Sequence, residues 1–140
     1  MPVIIFTLPD TDAVRESREV ICTEACRVFA EILAAPVERI RAYIQILPAA
    51  QIAAGGGWLG LPDATLLAPF YQFFVLQDRA TSQVQELHAA FTAILVTSLG
   101  IDRMEIRGIC TRVSPADWAI GGITADRARK QELEARAGQE

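Results

Sequence analysis

The chain has 140 residues, of which 51% are hydrophobic and 21% are charged, a composition typical of one globular domain rather than of a disordered chain. Its net charge of −4 and its isoelectric point near 5.0 argue against nucleic acid or an anionic membrane as the main partner. No apolar run is long enough to span a membrane, and no basic segment leads into a signal-like stretch. We therefore expect a cytoplasmic protein with no nucleic-acid or membrane partner.

The N-terminus carries the first candidate functional residue. Pro2 precedes an apolar, β-branched run over residues 3–8, which predicts a short buried strand. A proline is harmless at a strand edge, where its missing N–H is not needed. If Met1 is removed, however, Pro2 has a free secondary amine that can act as a base or nucleophile. The position alone leaves both interpretations open.

A helix and a second strand follow. Apolar residues recur at spacings of three and four and predict one buried helix face, namely Ile21, Ala25, Val28, Phe29 and Ile32. Asp10, Thr11 or Asp12 can cap the start of this helix, and Pro36 ends it. A strand is predicted over roughly 39–47. The Gly-, Ala- and Pro-rich stretch 48–69 then predicts a loop or a small hairpin.

The same order of elements recurs further along the chain. A second apolar helix face is formed by Val84, Leu87, Phe91, Ile94 and Leu95. Ser82 and Gln85 have the spacing of a capping box at its start, and Gly100 ends it. A strand is predicted over roughly 105–113. The polar tail 123–140 favours either a solvated helix or a frayed end, and we assign it no chemistry.

An internal repeat explains this recurrence. Residues 32–56 match residues 98–122 at a constant shift of 66, and "FTLPD" (6–10) matches "FVLQD" (74–78) at a shift of 68, so that Pro2 corresponds to Phe70. We interpret the chain as a single domain over 1–140 with β-α-β units at 2–57 and 70–122. Because such crossovers are right-handed, the predicted fold is α/β (α+β), with a four-stranded sheet and two helices on one face.

The cysteines and the single histidine give little functional signal. Cys22, Cys26 and Cys110 are odd in number and do not form a disulfide framework, and His88 stands alone. This pattern lacks the clustering of a zinc site, so buried reduced thiols are the better interpretation. We expect no metal and no cofactor.

The duplicated β-α-β unit that starts at Pro2 resembles the tautomerase superfamily, in which the catalytic residue is an amino-terminal proline. "APVERIRAYIQILPAAQIAAGGG" (35–57) is similar to the 4-oxalocrotonate tautomerase pattern of an Ala-Pro turn, a strand arginine and a Gly-Gly hairpin. "RVSPADWAIGG" (112–122) resembles the D-W segment of malonate semialdehyde decarboxylase. "FVLQDRATSQ" (74–83) resembles the arginine-bearing loop of that subgroup.

The resemblance implies a tautomerase/MIF-like fold, a homotrimer with active sites near subunit boundaries, and a small carboxylate-bearing substrate. It also implies that Pro2 is the catalytic acid and base. An amine that is buried beside cations favours its neutral form, and this form can accept a proton near neutral pH. One such nitrogen supports tautomerisation, hydration or decarboxylation, and its surroundings select the reaction.

The resemblance further implies which residues bind the substrate. Arg41 matches the family's strand arginine, and Arg79 matches the loop arginine of decarboxylase-like members; either can clamp a carboxylate. Trp118 matches the D-W segment and is expected to wall the site, although core packing also explains it. There are four auxiliary candidates. The carboxylate of Glu38 has the chemistry to activate or orient water, and Arg107 and Arg112 are arginines of the later strand. Gln77 stands where the resembling subgroup has the first of two loop arginines.

Three functions remain open from the sequence. Keto–enol tautomerisation of small oxo-acids needs only the amine and a carboxylate clamp, and is our first expectation. The "PADW" segment and Arg79 favour decarboxylation of a semialdehyde, or a haloacrylate hydratase/dehalogenase-like reaction. The arginine set is incomplete, because Thr11 and Asp12 replace the tautomerase loop arginine and Gln77 replaces another. A non-catalytic oligomeric binding protein is therefore the third possibility.

Overall fold

The computed structural model describes residues 2–138, apart from the side chain of Glu132. The strands are β1 (Val3–Pro9), β2 (Arg41–Leu47), β3 (Ala53–Ala54), β4 (Gly57–Trp58), β5 (Phe70–Leu76), β6 (Arg107–Val113), β7 (Ala119–Ile120) and β8 (Ile123–Thr124). The helices are α1 (Asp12–Leu33), α2 (Thr81–Leu99) and α3 (Ala125–Ala137). Short 3-10 turns precede β2, β3, β6 and β7.

The four long strands form one sheet in the order β2-β1-β5-β6. β1 and β2 are parallel, β5 and β6 are parallel, and the central pair β1 and β5 is antiparallel. A parallel pair requires a crossover connection, and helices α1 and α2 supply the two crossovers. The predicted fold of tandem β-α-β units, with two helices on one face of a four-stranded sheet, is confirmed.

The core lies between this sheet and the two helices. Alternate residues of β1, namely Ile4, Phe6 and Leu8, are fully buried, as expected for a strand with one covered face. Phe29 of α1 and Phe91 of α2 meet over the sheet with ring centroids 5.1 Å apart. Burying each such side chain stabilises the fold by about 1.5–3 kcal/mol. The two helices thus share one aromatic core rather than covering separate halves.

Helices α1 and α2 leave the opposite face of the sheet uncovered. Tyr43 on β2, Phe70 on β5 and Ile109 on β6 all lie on this face, and they are 47%, 39% and 50% exposed. An apolar sheet face of this kind commonly marks an interaction surface. We call this surface, formed by the alternate residues of the four long strands, the bare sheet face.

The strand pairing corrects the predicted register of the repeat. Val3 pairs with Arg41 in the first unit, and Phe70 pairs with Arg107 in the second. Phe70 is therefore the counterpart of Val3, and the counterpart of Pro2 is Pro69, not Phe70. The match between "FTLPD" and "FVLQD" was misleading because Asp10 and Asp78 are not equivalent. In the first unit the Asp10 N–H donates to the end of the paired strand, and in the second unit the Gln77 N–H makes the corresponding bond.

The helix ends are partly as predicted. The Thr11 side chain caps α1 by accepting from the Val14 N–H at 3.2 Å, and Gly100 ends α2 with a φ of 65°. The predicted capping box of Ser82 and Gln85 is wrong. Helix α2 begins earlier, and the Gln83 side chain accepts from the Ala80 N–H at 3.2 Å instead.

Two small hairpins and a helix complete the chain. β3 pairs with β4 and β7 pairs with β8, and each turn contains two glycines at positive φ, at 55–56 and 121–122. A residue with a Cβ is strained in that conformation. The tail forms helix α3, which settles the choice between a helix and a frayed end for residues 125–137. Within residues 2–138, no helix combines the length and apolar character needed to cross a bilayer.

Candidate active site

A surface cavity of about 340 Å³ lies where β1 and β2 begin. Its wall on the sheet side is formed by Val3, Arg41 and Tyr43. The 3-10 turn before β2 contributes Glu38 and Arg39. Trp118 and hairpin residues 119–121 close the other side. We call this cavity the Pro2 pocket, because its lining residue Val3 directly follows Pro2 in the chain.

Parallel pairing explains why Pro2 and Arg41 are neighbours. The Arg41 N–H donates to the Pro2 carbonyl at 3.2 Å, which fixes the start of β1 against the start of β2. Pro2 itself is buried, and Val3 after it lines the pocket. The β-α-β crossover brings these two strand ends together although they are far apart in sequence. Met1, whose removal would free the Pro2 amine, lies outside the described residues.

Trp118 comes to this pocket from the second unit. Its ring lies 6.3 Å from the Phe74 ring, and Phe74 pairs with Val3 across the central strands. The Trp118 carbonyl accepts from the Ala125 N–H at 2.7 Å, which ties the hairpin to the start of α3. The indole Nε1 is buried without a hydrogen-bond partner among the described residues. A buried donor of this kind is costly unless another molecule supplies an acceptor.

The charged residues of the pocket give it a positive balance. Glu38 contributes one negative charge, and Arg39 and Arg41 contribute two positive charges. The guanidinium of Arg41 has the planar geometry that binds a carboxylate through two hydrogen bonds. The site can therefore hold a small carboxylate beside the N-terminal proline.

The structure assigns Arg79, a predicted substrate-binding residue, other contacts. Its Nη1 donates to the Leu33 carbonyl at the end of α1, at 3.0 Å. It is not among the residues that line the Pro2 pocket. Arg112 donates to the carbonyls of Gln77 and Arg79 at 3.2 and 2.5 Å. Gln77, Arg79 and Arg112 thus lie together at the turn that follows β5, where hydrogen bonds to backbone carbonyls hold the two arginine side chains.

Arg107 lies elsewhere. It lines a separate cavity at the opposite end of the sheet, where β5 and β6 begin, because β5 runs antiparallel to β1. The Pro2 pocket thus contains Arg41, Trp118 and Glu38, and it does not contain Arg107.

Among the polar residues that line the Pro2 pocket, Arg39 and Tyr43 were not proposed as site residues from the sequence. Arg39 precedes the strand, and Tyr43 follows Arg41 by two positions. Period two in a strand places Arg41 and Tyr43 on the same face, and that spacing was the available signal for Tyr43. For Arg39, the only signal was its position next to Glu38.

The cysteines behave as the sequence suggests. All three are free and half-buried. Burial raises the pKa of each thiol, and for Cys22 the neighbouring Cys26 raises it further. A raised pKa leaves less thiolate at neutral pH, so these groups are poor nucleophiles.

Comparisons with known proteins agree with this architecture. The chain superimposes on the wild-type fused 4-OT asymmetric trimer F6 with a TM-score of 0.74 and 24% identity, covering 89% of this chain and 96% of that one. It superimposes on Pt0534 inactivated by 2-oxo-3-pentynoate with a TM-score of 0.79 and 17% identity, covering 89% and 97%. For the macrophage migration inhibitory factor of Toxoplasma gondii the TM-score is 0.71 at 20% identity, covering 87% and 98%.

These likenesses show the fold. They extend over nearly the whole length of each neighbour, so the match is to complete chains rather than to a shared fragment. No protein-family model and no curated protein matches the sequence. The expected tautomerase/MIF-like fold is confirmed by the solved structures that this chain resembles.

Proposed function

We propose that this protein is an enzyme that uses Pro2, freed of Met1, as acid and base in the keto–enol tautomerisation of small oxo-acids. The observation that carries the proposal is the Pro2 pocket itself. It places Arg39, Arg41 and the Trp118 side chain around a cavity of about 340 Å³, and its lining residue Val3 directly follows Pro2. This volume suits a small ligand.

The arginines supply the first requirement of the reaction, which is to hold a carboxylate. Arg41 is fixed by its backbone bond to Pro2, so its guanidinium starts from a position adjacent to the proposed base. A substrate carboxylate held there has its remaining carbons beside the prolyl nitrogen. Fixing the two reactants in this way removes much of the entropic cost of bringing them together.

Proton transfer is the second requirement. The neutral amine of Pro2 accepts the hydroxyl proton of the enol, and the resulting ammonium returns a proton to carbon, which gives the ketone and restores the amine. No redox partner is needed, and atoms and charge balance over the cycle. A positioned acid–base group of this kind contributes about 10²- to 10⁴-fold to a rate.

A structural neighbour supports the class of ligand. The Pt0534 structure contains protein inactivated by 2-oxo-3-pentynoate, which is a small oxo-acid. The two chains share a fold over most of their lengths, so small oxo-acids are the class of ligand to test on this chain.

A second candidate reaction is decarboxylation of a semialdehyde or hydration of an acrylate. It is favoured by Glu38, whose carboxylate lines the same pocket and has the chemistry to orient or activate water. Trp118 lines the pocket as well, as the decarboxylase resemblance suggests. The same pocket without chemistry would make the protein an oligomeric binding protein, which is the third candidate.

We also propose that the protein forms a homotrimer through its bare sheet face. Neighbours with this fold include fused 4-OT proteins described as symmetric and asymmetric trimers. The exposed apolar residues of the face supply the area that subunit contact would bury.

The first test is the intact mass of the purified protein, followed by two variants assayed on a panel of enol and semialdehyde carboxylates. We expect Met1 to be absent. Pro2→Ala should lower kcat/KM by about 10²-fold or more, because the secondary amine is lost. Arg41→Met should mainly raise KM, because the carboxylate clamp is lost. Arg18→Met, on the exposed side of α1, controls for the loss of an arginine.

Each alternative gives a different result. Retention of Met1, or full activity in Pro2→Ala, would rule out the proline mechanism. Turnover confined to semialdehydes or acrylates, and lost in Glu38→Gln, would favour the second candidate. No turnover across the panel, with saturable ligand binding that Arg41→Met weakens, would favour the binding protein.

A further inference from the structure

A second surface cavity is the repeat counterpart of the Pro2 pocket. It measures about 630 Å³ and lies where β5 and β6 begin. Apart from Tyr43, every residue lining the Pro2 pocket has its repeat partner here: Val3 becomes Phe70, Arg41 becomes Arg107, and Trp118 becomes Ile52. The proline at its edge is Pro69, the counterpart of Pro2, so we call it the Pro69 pocket.

The duplicated geometry carries different chemistry. Pro69 is fully buried and its nitrogen belongs to the peptide bond with Ala68, so it has no basic lone pair and cannot transfer protons. The backbone is otherwise held as in the first unit, since the Arg107 N–H donates to the Pro69 carbonyl at 3.0 Å. This pocket therefore cannot use a proline amine as acid and base.

Its charge balance is inverted. The repeat partners of Glu38 and Arg39 are Met104 and Glu105, and Asp102 also lines the cavity. One guanidinium and two carboxylates thus replace two guanidinium groups and one carboxylate. A substrate with only negative charge, which suits the Pro2 pocket, is disfavoured here.

The three charged groups are held apart by separate backbone bonds. Glu105 accepts from the Leu67 N–H at 3.0 Å, and Asp102 accepts from the Met104 N–H at 2.9 Å. Arg107 donates through Nη1 to the carbonyls of Met104 and Ile106. None of the three belongs to an ion pair within the described part of the chain. Both signs of charge remain available to a ligand.

We propose that the Pro69 pocket binds a zwitterion with an apolar body, namely an α-amino acid with a large apolar side chain. Arg107 binds the α-carboxylate, and Glu105 with Asp102 binds the ammonium group. Ile52, Leu66 and Phe70 contact the side chain. This charge pairing distinguishes the ligand from the oxo-acids of the Pro2 pocket, which lack the ammonium group.

Calorimetry with three probes tests the proposal. L-Phenylalanine should bind saturably, and 3-phenylpropanoate and 2-phenylethylamine, which each lack one charge, should bind roughly tenfold more weakly or worse. Glu105→Gln keeps the acceptor for the Leu67 N–H and removes only the charge. It should weaken phenylalanine binding by about tenfold and leave 3-phenylpropanoate unchanged or tighter. Arg107→Met should abolish phenylalanine binding, and Arg41→Met, the matched change in the Pro2 pocket, should not.

Several results would overturn the proposal. Loss of binding in Arg41→Met but not in Arg107→Met would place the ligand in the Pro2 pocket. Equal affinity for 3-phenylpropanoate would make the cavity a plain apolar anion site. No saturation by any probe in the millimolar range would mean that the cavity is filled by another copy of the chain or binds nothing. If Arg107→Met is misfolded by circular dichroism, the milder Glu105→Gln variant decides.

Discussion

Gly108 shows how one residue without a side chain permits the core. It pairs with Tyr71 across β5 and β6, and a Cβ at this position would lie closer than 3.0 Å to three atoms of the Tyr71 ring. The ring cannot move away easily. It is 2% exposed, and its hydroxyl shares a 2.7 Å hydrogen bond with His88 Nδ1. Burial raises the pKa of Tyr71 and lowers the pKa of His88, so both groups are neutral at neutral pH.

We expect Gly108→Ala to lower the free energy of unfolding by about 1–3 kcal/mol, the usual cost of overpacking a core. Urea unfolding followed by circular dichroism measures the change. Gly138→Ala is the matched control, because a Cβ there would lie 3.6 Å from the nearest backbone oxygen, in ordinary contact. Equal stabilities of the two variants would show that the Tyr71 ring repacks at no cost.

At the scale of elements, the end of helix α1 is satisfied by the second unit. The last carbonyls of a helix have no partners within it. Arg79 donates to the Leu33 carbonyl at 3.0 Å, and Gln83 donates to the Ile32 carbonyl at 3.3 Å. A cation at this end also interacts favourably with the helix dipole. The loop after β5 therefore links the two halves of the chain.

These contacts suggest that Arg79 caps α1, whereas the resemblance implies that it binds the substrate, and the two roles predict different effects of its loss. If it caps α1, Arg79→Met should lower the free energy of unfolding by about 1 kcal/mol and leave KM unchanged in the proposed reaction. Thermal unfolding and steady-state kinetics on the same preparation test this. A raised KM with unchanged stability would instead support the substrate-binding role that the resemblance implies.

At the scale of the whole molecule, the bare sheet face is an apolar surface that helices α1 and α2 leave uncovered. Ile109 lies on this face in the edge strand β6 and is 50% exposed. If three copies pack through this face, Ile109→Glu places a charge in each interface. Burying an unpaired carboxylate costs several kcal/mol, so the trimer should dissociate.

Sedimentation velocity at micromolar concentration measures this outcome. Val20→Glu is the control, because Val20 on α1 is exposed to a similar degree, at 47%, but on the helical side of the molecule. We expect it to leave the oligomer unchanged. A trimer that survives Ile109→Glu, or a wild-type monomer, would contradict assembly through this face.

The sequence by itself determined the four long strands, the first two helices and their order. The period of the apolar residues identified α1 and α2, the β-branched run identified β1, and the repeat identified the second unit from the first. These signals are local, or they compare the chain with itself. A right-handed crossover then fixes the parallel pairs, so the fold followed without any knowledge of side-chain contacts. Pro2 and Arg41 were candidates through the family resemblance, and pairing at the start of two parallel strands makes them neighbours.

Only the tertiary structure decided which residues share a cavity. Pro69 and not Phe70 corresponds to Pro2, because backbone pairing and not residue identity sets the register. Arg79 contacts the end of α1, since unpaired helix carbonyls compete for its guanidinium. Arg107 is separated from Arg41 because the central strands are antiparallel. Each of these outcomes depends on contacts between residues distant in sequence, which no local pattern encodes.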